Sequence, residues 1–93
     1  MSYVKVVFRK ETFQKVFSPS SGGYEDTYYD GEESYEIGDH FKTLHIEGKV
    51  CYIHRDPNFG GANVWIATED GEEKIALWIS DNSVRRLYYG AAS

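Results

Sequence analysis

Apolar and polar side chains alternate along this chain in short runs, and none of the runs keeps a helical period. Residues 3–9 place Val4, Val6 and Phe8 on one face and Lys5, Val7 and Arg9 on the other, the period of two that marks a half-buried strand. A break at Lys10, Glu11 and Thr12 follows, and residues 13–17 read as the second arm of a hairpin. Residues 18–23, made of Ser, Pro and Gly, read as a loop. Further strands are predicted at residues 42–47, with Leu44 and Ile46 on one face, and at 50–54, across a tight break at Gly48 and Lys49. Residues 62–68 and 84–89 read as strands, and 75–79 as a short strand or a helical turn. Turns are expected at 56–61, 69–73 and 80–82, and a tail at 90–93. Short strands joined by turns, with no amphipathic helix, indicate an all-β antiparallel sandwich or barrel.

One stretch resists this pattern. Between residues 24 and 39 the acids Glu25, Asp26, Asp30, Glu32, Glu33, Glu36 and Asp39 interleave with Tyr24, Tyr28, Tyr29 and Tyr35. An EF-hand loop begun at Asp26 would put Asp30 and Gly31 in register, but Tyr28 takes a ligand position and Ile37 the place of the closing bidentate glutamate, so that reading fails. The expectation is a solvated loop whose tyrosines lie across a sheet edge, with residues 24–36 as the candidate surface for a protein partner.

Ninety-three residues suit one domain with one core, burying roughly 60–65% of the surface the unfolded chain exposes. Eight Tyr, five Phe and two Trp supply the large side chains that stabilise a small β domain without cross-links. Cys51 stands alone in a strand-like run and reads as a small buried hydrophobe, which fits a reducing compartment. A strand pattern begins at once after Met1, and neither a signal peptide nor a membrane span is recognisable, so a soluble, cytoplasmic, monomeric protein is expected. A net charge of −5 argues against nucleic acid, whose phosphates require a basic face.

The order of features also recurs. Phe8, Phe13 and Lys15 parallel His54, Phe59 and Gly61, while Tyr35, Asp39 and Thr43 parallel Trp78, Asp81 and Arg85. The hairpin aromatics, Phe13 and Phe59, stand 46 residues apart, and the turn aspartates, Asp39 and Asp81, stand 42 apart. Two Greek-key units are read from this, at about 1–48 and 49–90 of a single domain spanning 1–93. With Asp56, Pro57, Asn58, Phe59, Gly60 and Gly61 as a folded hairpin and Asp81, Asn82, Ser83, Val84, Arg85 and Arg86 as an Asx-led turn, the chain resembles the βγ-crystallin family over nearly its whole length. The hairpin needs Gly61 at positive φ and Phe59 as a cover for the turn. Lys15 departs from the pattern where the first unit should have its glycine.

The resemblance implies a βγ-crystallin-like sandwich of two four-stranded antiparallel sheets, and it implies calcium. One site would use Asp39, the Phe41 carbonyl and the Thr43 hydroxyl, facing the Arg55 carbonyl; a second would use Asp81, Asn82 and the Ser83 carbonyl, facing Arg9. Arg85 occupies the hydroxyl position of the second turn, and a guanidinium offers no ligand, so one partly intact site is expected. His40, His45 and His54 lack zinc-ligand spacing, and no catalytic motif is found, so the domain is expected to be non-enzymatic. Three readings stay open: a calcium-stabilised crystallin-like domain, a structural relative without a working metal site, and a protein-binding or inhibitor module using the acidic tyrosine-rich stretch.

Overall fold

A computed structural model of the chain describes residues 2–90, apart from the side chains of residues 12–14. The described residues form seven strands: β1 (Ser2–Ser18), β2 (Gly23–Glu36), β3 (His40–Lys42), β4 (Glu47–Arg55), β5 (Ala62–Ala67), β6 (Glu73–Ile79) and β7 (Val84–Tyr89). All pair antiparallel, as the period-two pattern predicted. They form one strongly curled half-barrel sheet, where two four-stranded sheets had been expected.

Two strands stitch the sheet together. Lys5 of β1 pairs with both Glu36 and Tyr88, and Tyr3 with both Ile53 and Tyr89, so β7 lies along one edge of β1 while β4 and then β2 share the other. In β4, Lys49 pairs with both His40 and Ala67, and Ile53 with both Tyr3 and Val64. Strand β5 therefore lies on one side of β4, and β3 and β1 on the other. The body runs β7-β1-β4-β5-β6, a meander whose last strand returns beside the first.

The concave side holds the core. Tyr3, Val6, Phe8, Phe41, Val50, Ile53, Ala62, Val64, Ile66 and Ile79 are buried, with Tyr35, Ile46, Leu77, Val84 and Leu87 packed against them. Val6 and Phe8 face inward, as their alternation required, while Val4 is only half-buried because a register shift between Tyr3 and Lys5 turns the chain there. A second shift between Val50 and Tyr52 leaves Cys51 as the extra residue of a bulge, half-buried where burial had been predicted.

Three expected breaks are displaced. The chain does not turn at residues 10–12: β1 runs straight through, and residues 13–17 continue it. Residues 24–36 form β2, not a loop, because they pair with β1 in unbroken register from Lys5↔Glu36 to Ser18↔Gly23. The Tyr and Thr residues of β2 favour a pleated strand, and cross-strand ion pairs offset the low β-propensity of its acids. The turn foreseen at Gly48 lies earlier, at residues 43–46, where the Thr43 hydroxyl accepts from the His45 and Ile46 amides at 3.3 and 3.2 Å. Leu44, expected to be strand core, is 97% exposed at the tip of that turn. Gly48 sits inside β4, where a Cβ would overlap the Ala67 carbonyl of β5.

Candidate functional site

Beyond Phe8, which pairs with Val84, β1 has no partner except β2 among the described residues. The Arg9 amide donates to the Ser83 carbonyl at 2.7 Å, and this is the last bond to the body. From there residues 10–18 and 23–31 run out as a two-stranded ribbon of about 30 Å, at 3.3 Å per residue. The ribbon accounts for the molecule's shape: the radius of gyration is 16.7 Å and the long axis 58 Å. A compact chain of this length would have a radius of about 12 Å.

The ribbon carries aromatic surface into solvent. Phe17 and Tyr24 meet edge to face with centroids 5.6 Å apart, yet remain 54% and 73% exposed, and Val16, Tyr28 and Tyr29 are also exposed. Polar side chains brace its base. Arg9 Nε donates to Asp30 Oδ1 at 2.8 Å, Arg9 Nη2 lies 2.6 Å from Glu11 Oε1, and the same nitrogen donates to the Tyr28 hydroxyl at 2.6 Å. Glu11 and Asp30 stand directly opposite in the register, and the guanidinium between them relieves their repulsion. The hydrogen bond to Asp30 holds the Arg9 guanidinium above its ordinary pKa, and the hydrogen bond with Glu11 raises the Tyr28 phenol. Lys10 Nζ reaches Glu33 Oε2 at 2.7 Å, and the Tyr35 hydroxyl donates to Glu33 Oε1 at 3.2 Å. An isolated two-stranded ribbon is at best marginally stable in water, so these contacts hold it in register without giving it a core.

The second candidate region lies on the body, at the turns singled out for calcium. In the 56–61 turn, Asp56 Oδ1 accepts from the Asn58 and Phe59 amides at 2.8 and 2.9 Å, and Oδ2 accepts from Asn63 Nδ2 at 2.9 Å. These bonds, that from the Phe59 amide first, hold the carboxyl below its ordinary pKa. Gly61 has the required positive φ, 74°, and a Cβ there would overlap the Ile79 carbonyl. The expected cover does not form: Phe59 is 82% exposed, and the Trp78 indole packs on the turn instead, donating to the Gly60 carbonyl at 2.9 Å.

The first calcium set is not brought together. Phe41 pairs with Gly48 at one end of β4 and Arg55 stands at the other end, seven residues away, or roughly 20 Å along the strand. Ligands around one calcium ion each lie about 2.3–2.6 Å from it. Asp39 Oδ2 accepts from the Glu36 amide at 2.8 Å, and the Thr43 hydroxyl serves its own turn. The second set is brought together in part. The turn of Asp81, Asn82 and Ser83 meets Arg9 as expected, but through the Ser83 carbonyl bonded to the Arg9 amide. Arg55 Nη2 donates to Asp81 Oδ1 at 3.1 Å, placing a fixed positive charge on the carboxylate meant for the ion.

Other candidates are dispersed. His40 Nε2 pairs with Glu47 Oε2 at 2.7 Å beside a shallow cleft of about 590 Å³, His54 stacks on Tyr52, and His45 lies in the 43–46 turn. No three His, Cys, Asp or Glu side chains among the described residues gather as a metal site. Burial, and then Glu73, raises the Cys51 thiol above its ordinary pKa, which keeps it protonated. No described helix is long and apolar enough to cross a membrane.

No protein-family model, curated protein or solved structure matches the chain. The likeness to βγ-crystallins therefore rests on the turns and offsets quoted for it. The sequence reading missed that residues 10–18 belong to the same surface as 24–36. The available signal was their length: 9 residues on one side of the 19–22 turn match 9 on the other, with apolar or aromatic residues on both.

Proposed function

We propose that this is a non-enzymatic protein-binding domain whose half-barrel body carries the ribbon of residues 10–31 as its recognition element, acting without a resident calcium ion. The observation that supports it is the separation of roles along β1. Up to Phe8 the strand builds core, and past Arg9 it presents Val16 and Phe17 to solvent beside the exposed Tyr24, Tyr28 and Tyr29 of β2. Aromatic side chains, tyrosine above all, are enriched where proteins meet, because a rigid ring with a polar tip desolvates at low entropic cost. The separation of Phe41 from Arg55 and the Arg55–Asp81 pair both speak against the calcium-stabilised crystallin reading.

The test compares the whole chain with a variant in which residues 11–30 are replaced by Asn-Gly, a two-residue hairpin turn. A partner identified by capture is purified and titrated against both. At least a tenfold loss of affinity in the shortened variant, with its melting transition retained, is the expected result. Equal affinity would overturn the proposal.

A further inference from the structure

The outer edge of β2 is open over residues 24–34 and closes at Glu36, whose amide donates to Asp39 Oδ2 at 2.8 Å and whose carbonyl accepts from the Asp39 amide at 3.0 Å. Among the described residues β2 pairs only with β1, so the eleven residues 24–34, about 36 Å of strand, present alternate amides and carbonyls without a strand partner. Edges of this kind are usually blunted by proline, by a bulge or by charged side chains, lysine above all. Here the β1–β2 register has no shift, and β2 contains neither proline nor lysine.

The charge on this edge has one sign. Glu25, Asp26, Asp30, Glu32, Glu33 and Glu36 lie on β2, which has no basic residue. Asp30 and Glu33 are neutralised by Arg9 and Lys10. Glu25, Asp26, Glu32 and Glu36 have no ion pair among the described residues. Side chains alternate across the strand, so Asp26, Glu32 and Glu36 share a face with Tyr24 and Tyr28. Acids and tyrosine rings together favour a cation, by ion pairing and over the ring face.

Resting on the binding role proposed above, we infer that the edge of β2 takes an extended basic segment of another protein, with Lys or Arg at alternate positions, as an added strand. Backbone hydrogen bonds to the open edge hold the segment, and its alternate cations face the unpaired carboxylates. A second copy of this chain is a poor occupant. Pairing β2 with β2 would set acid against acid, and each copy brings a net charge of −5.

Three synthetic twelve-residue peptides test this: alternating Arg-Thr-Lys-Val, the same sequence with Glu at the basic positions, and the basic peptide N-methylated at alternate residues on the edge that would pair. Fluorescence anisotropy and amide hydrogen exchange are read together. The basic peptide is expected to bind, to slow exchange at alternate amides of residues 24–34, and to lose at least tenfold in affinity on N-methylation. It should lose a similar factor in the Asp26→Lys, Glu32→Lys double variant, while the Glu peptide does not bind. If the N-methylated peptide binds as tightly as its parent, the edge is only an acidic patch and the inference falls. Protection of β2 that rises with protein concentration and no peptide would overturn it in favour of a second copy. If no peptide binds while the captured partner still requires residues 11–30, the inference fails and the binding role stands.

Discussion

The two halves of β1 contain similar residues and have opposite fates. In residues 3–9 the apolar positions Tyr3, Val6 and Phe8 have a floor to pack on, since β4 and β7 close round them and all three fall under 8% exposed. In residues 10–18 Val16 and Phe17 are flanked, among the described residues, only by β2, and they stay in solvent. Strand formation needs a partner strand, whereas a core needs a second layer. Only the body has that layer. Apolar side chains that the ribbon cannot bury itself form a surface that a partner can cover.

The sharpest way to break this comparison is to damage each part. Ile53→Ala, at a fully buried site, should cost about 2–5 kcal/mol, whereas Phe17→Ala should change global stability by less than about 1 kcal/mol, both read from urea titrations. A large loss from Phe17→Ala would mean that the ribbon belongs to the cooperative unit. Gly61→Ala comes next. A Cβ at φ 74° against the Ile79 carbonyl should cost about 1–3 kcal/mol, visible as a melting point lowered by roughly 5–20 °C.

Replacing residues 11–30 by Asn-Gly should leave the melting point within a few degrees. By small-angle scattering the radius of gyration should fall from 16.7 Å toward about 12 Å. An unfolded product would show that the ribbon supports the body.

Smaller again is the effect of pH on the body turn. The Asp56 carboxyl is held below its unfolded pKa by the amides of Phe59 and Asn58 and by Asn63, so its stabilisation is fully present above about pH 4, near the unfolded value. It is lost as pH falls through the folded value. Melting curves of Asp56→Asn should therefore lie below those of the unmodified chain at pH 7 and converge with them in acid; a gap that widened in acid would reverse the sign. The smallest expected effect is that of calcium. Chelator-treated protein should give no saturable heat and no shift in melting point on calcium addition, because Phe41 and Arg55 are held at opposite ends of β4 and Asp81 is paired with Arg55. Saturable heat abolished by Thr43→Ala would restore the crystallin-like calcium site.

Local chemistry was legible from residues alone. The Asx turn at Asp56, the positive φ of Gly61, the turn of Asp81, Asn82 and Ser83 feeding β7, and the inward alternation of Val6 and Phe8 all follow from what those side chains do within a few residues. Which strand continues, and beside what, was not legible. Lys10, Glu11 and Thr12 look like a turn, yet they stay extended because β2 lies alongside. The acids of β2 read as a solvated loop until Arg9 and Lys10 are found across the ladder.

The sequence by itself determined an all-β, antiparallel chain with one small aliphatic and aromatic core and well-defined turns, because period, propensity and turn chemistry act over short distances. Only the tertiary structure decided that all the strands share one sheet, that Trp78 and not Phe59 covers the 56–61 turn, and that residues 10–31 stand clear of the body. Those outcomes depend on pairings between residues distant in sequence. No local preference carries that information, because a strand edge is satisfied equally well by any neighbour that offers the matching ladder.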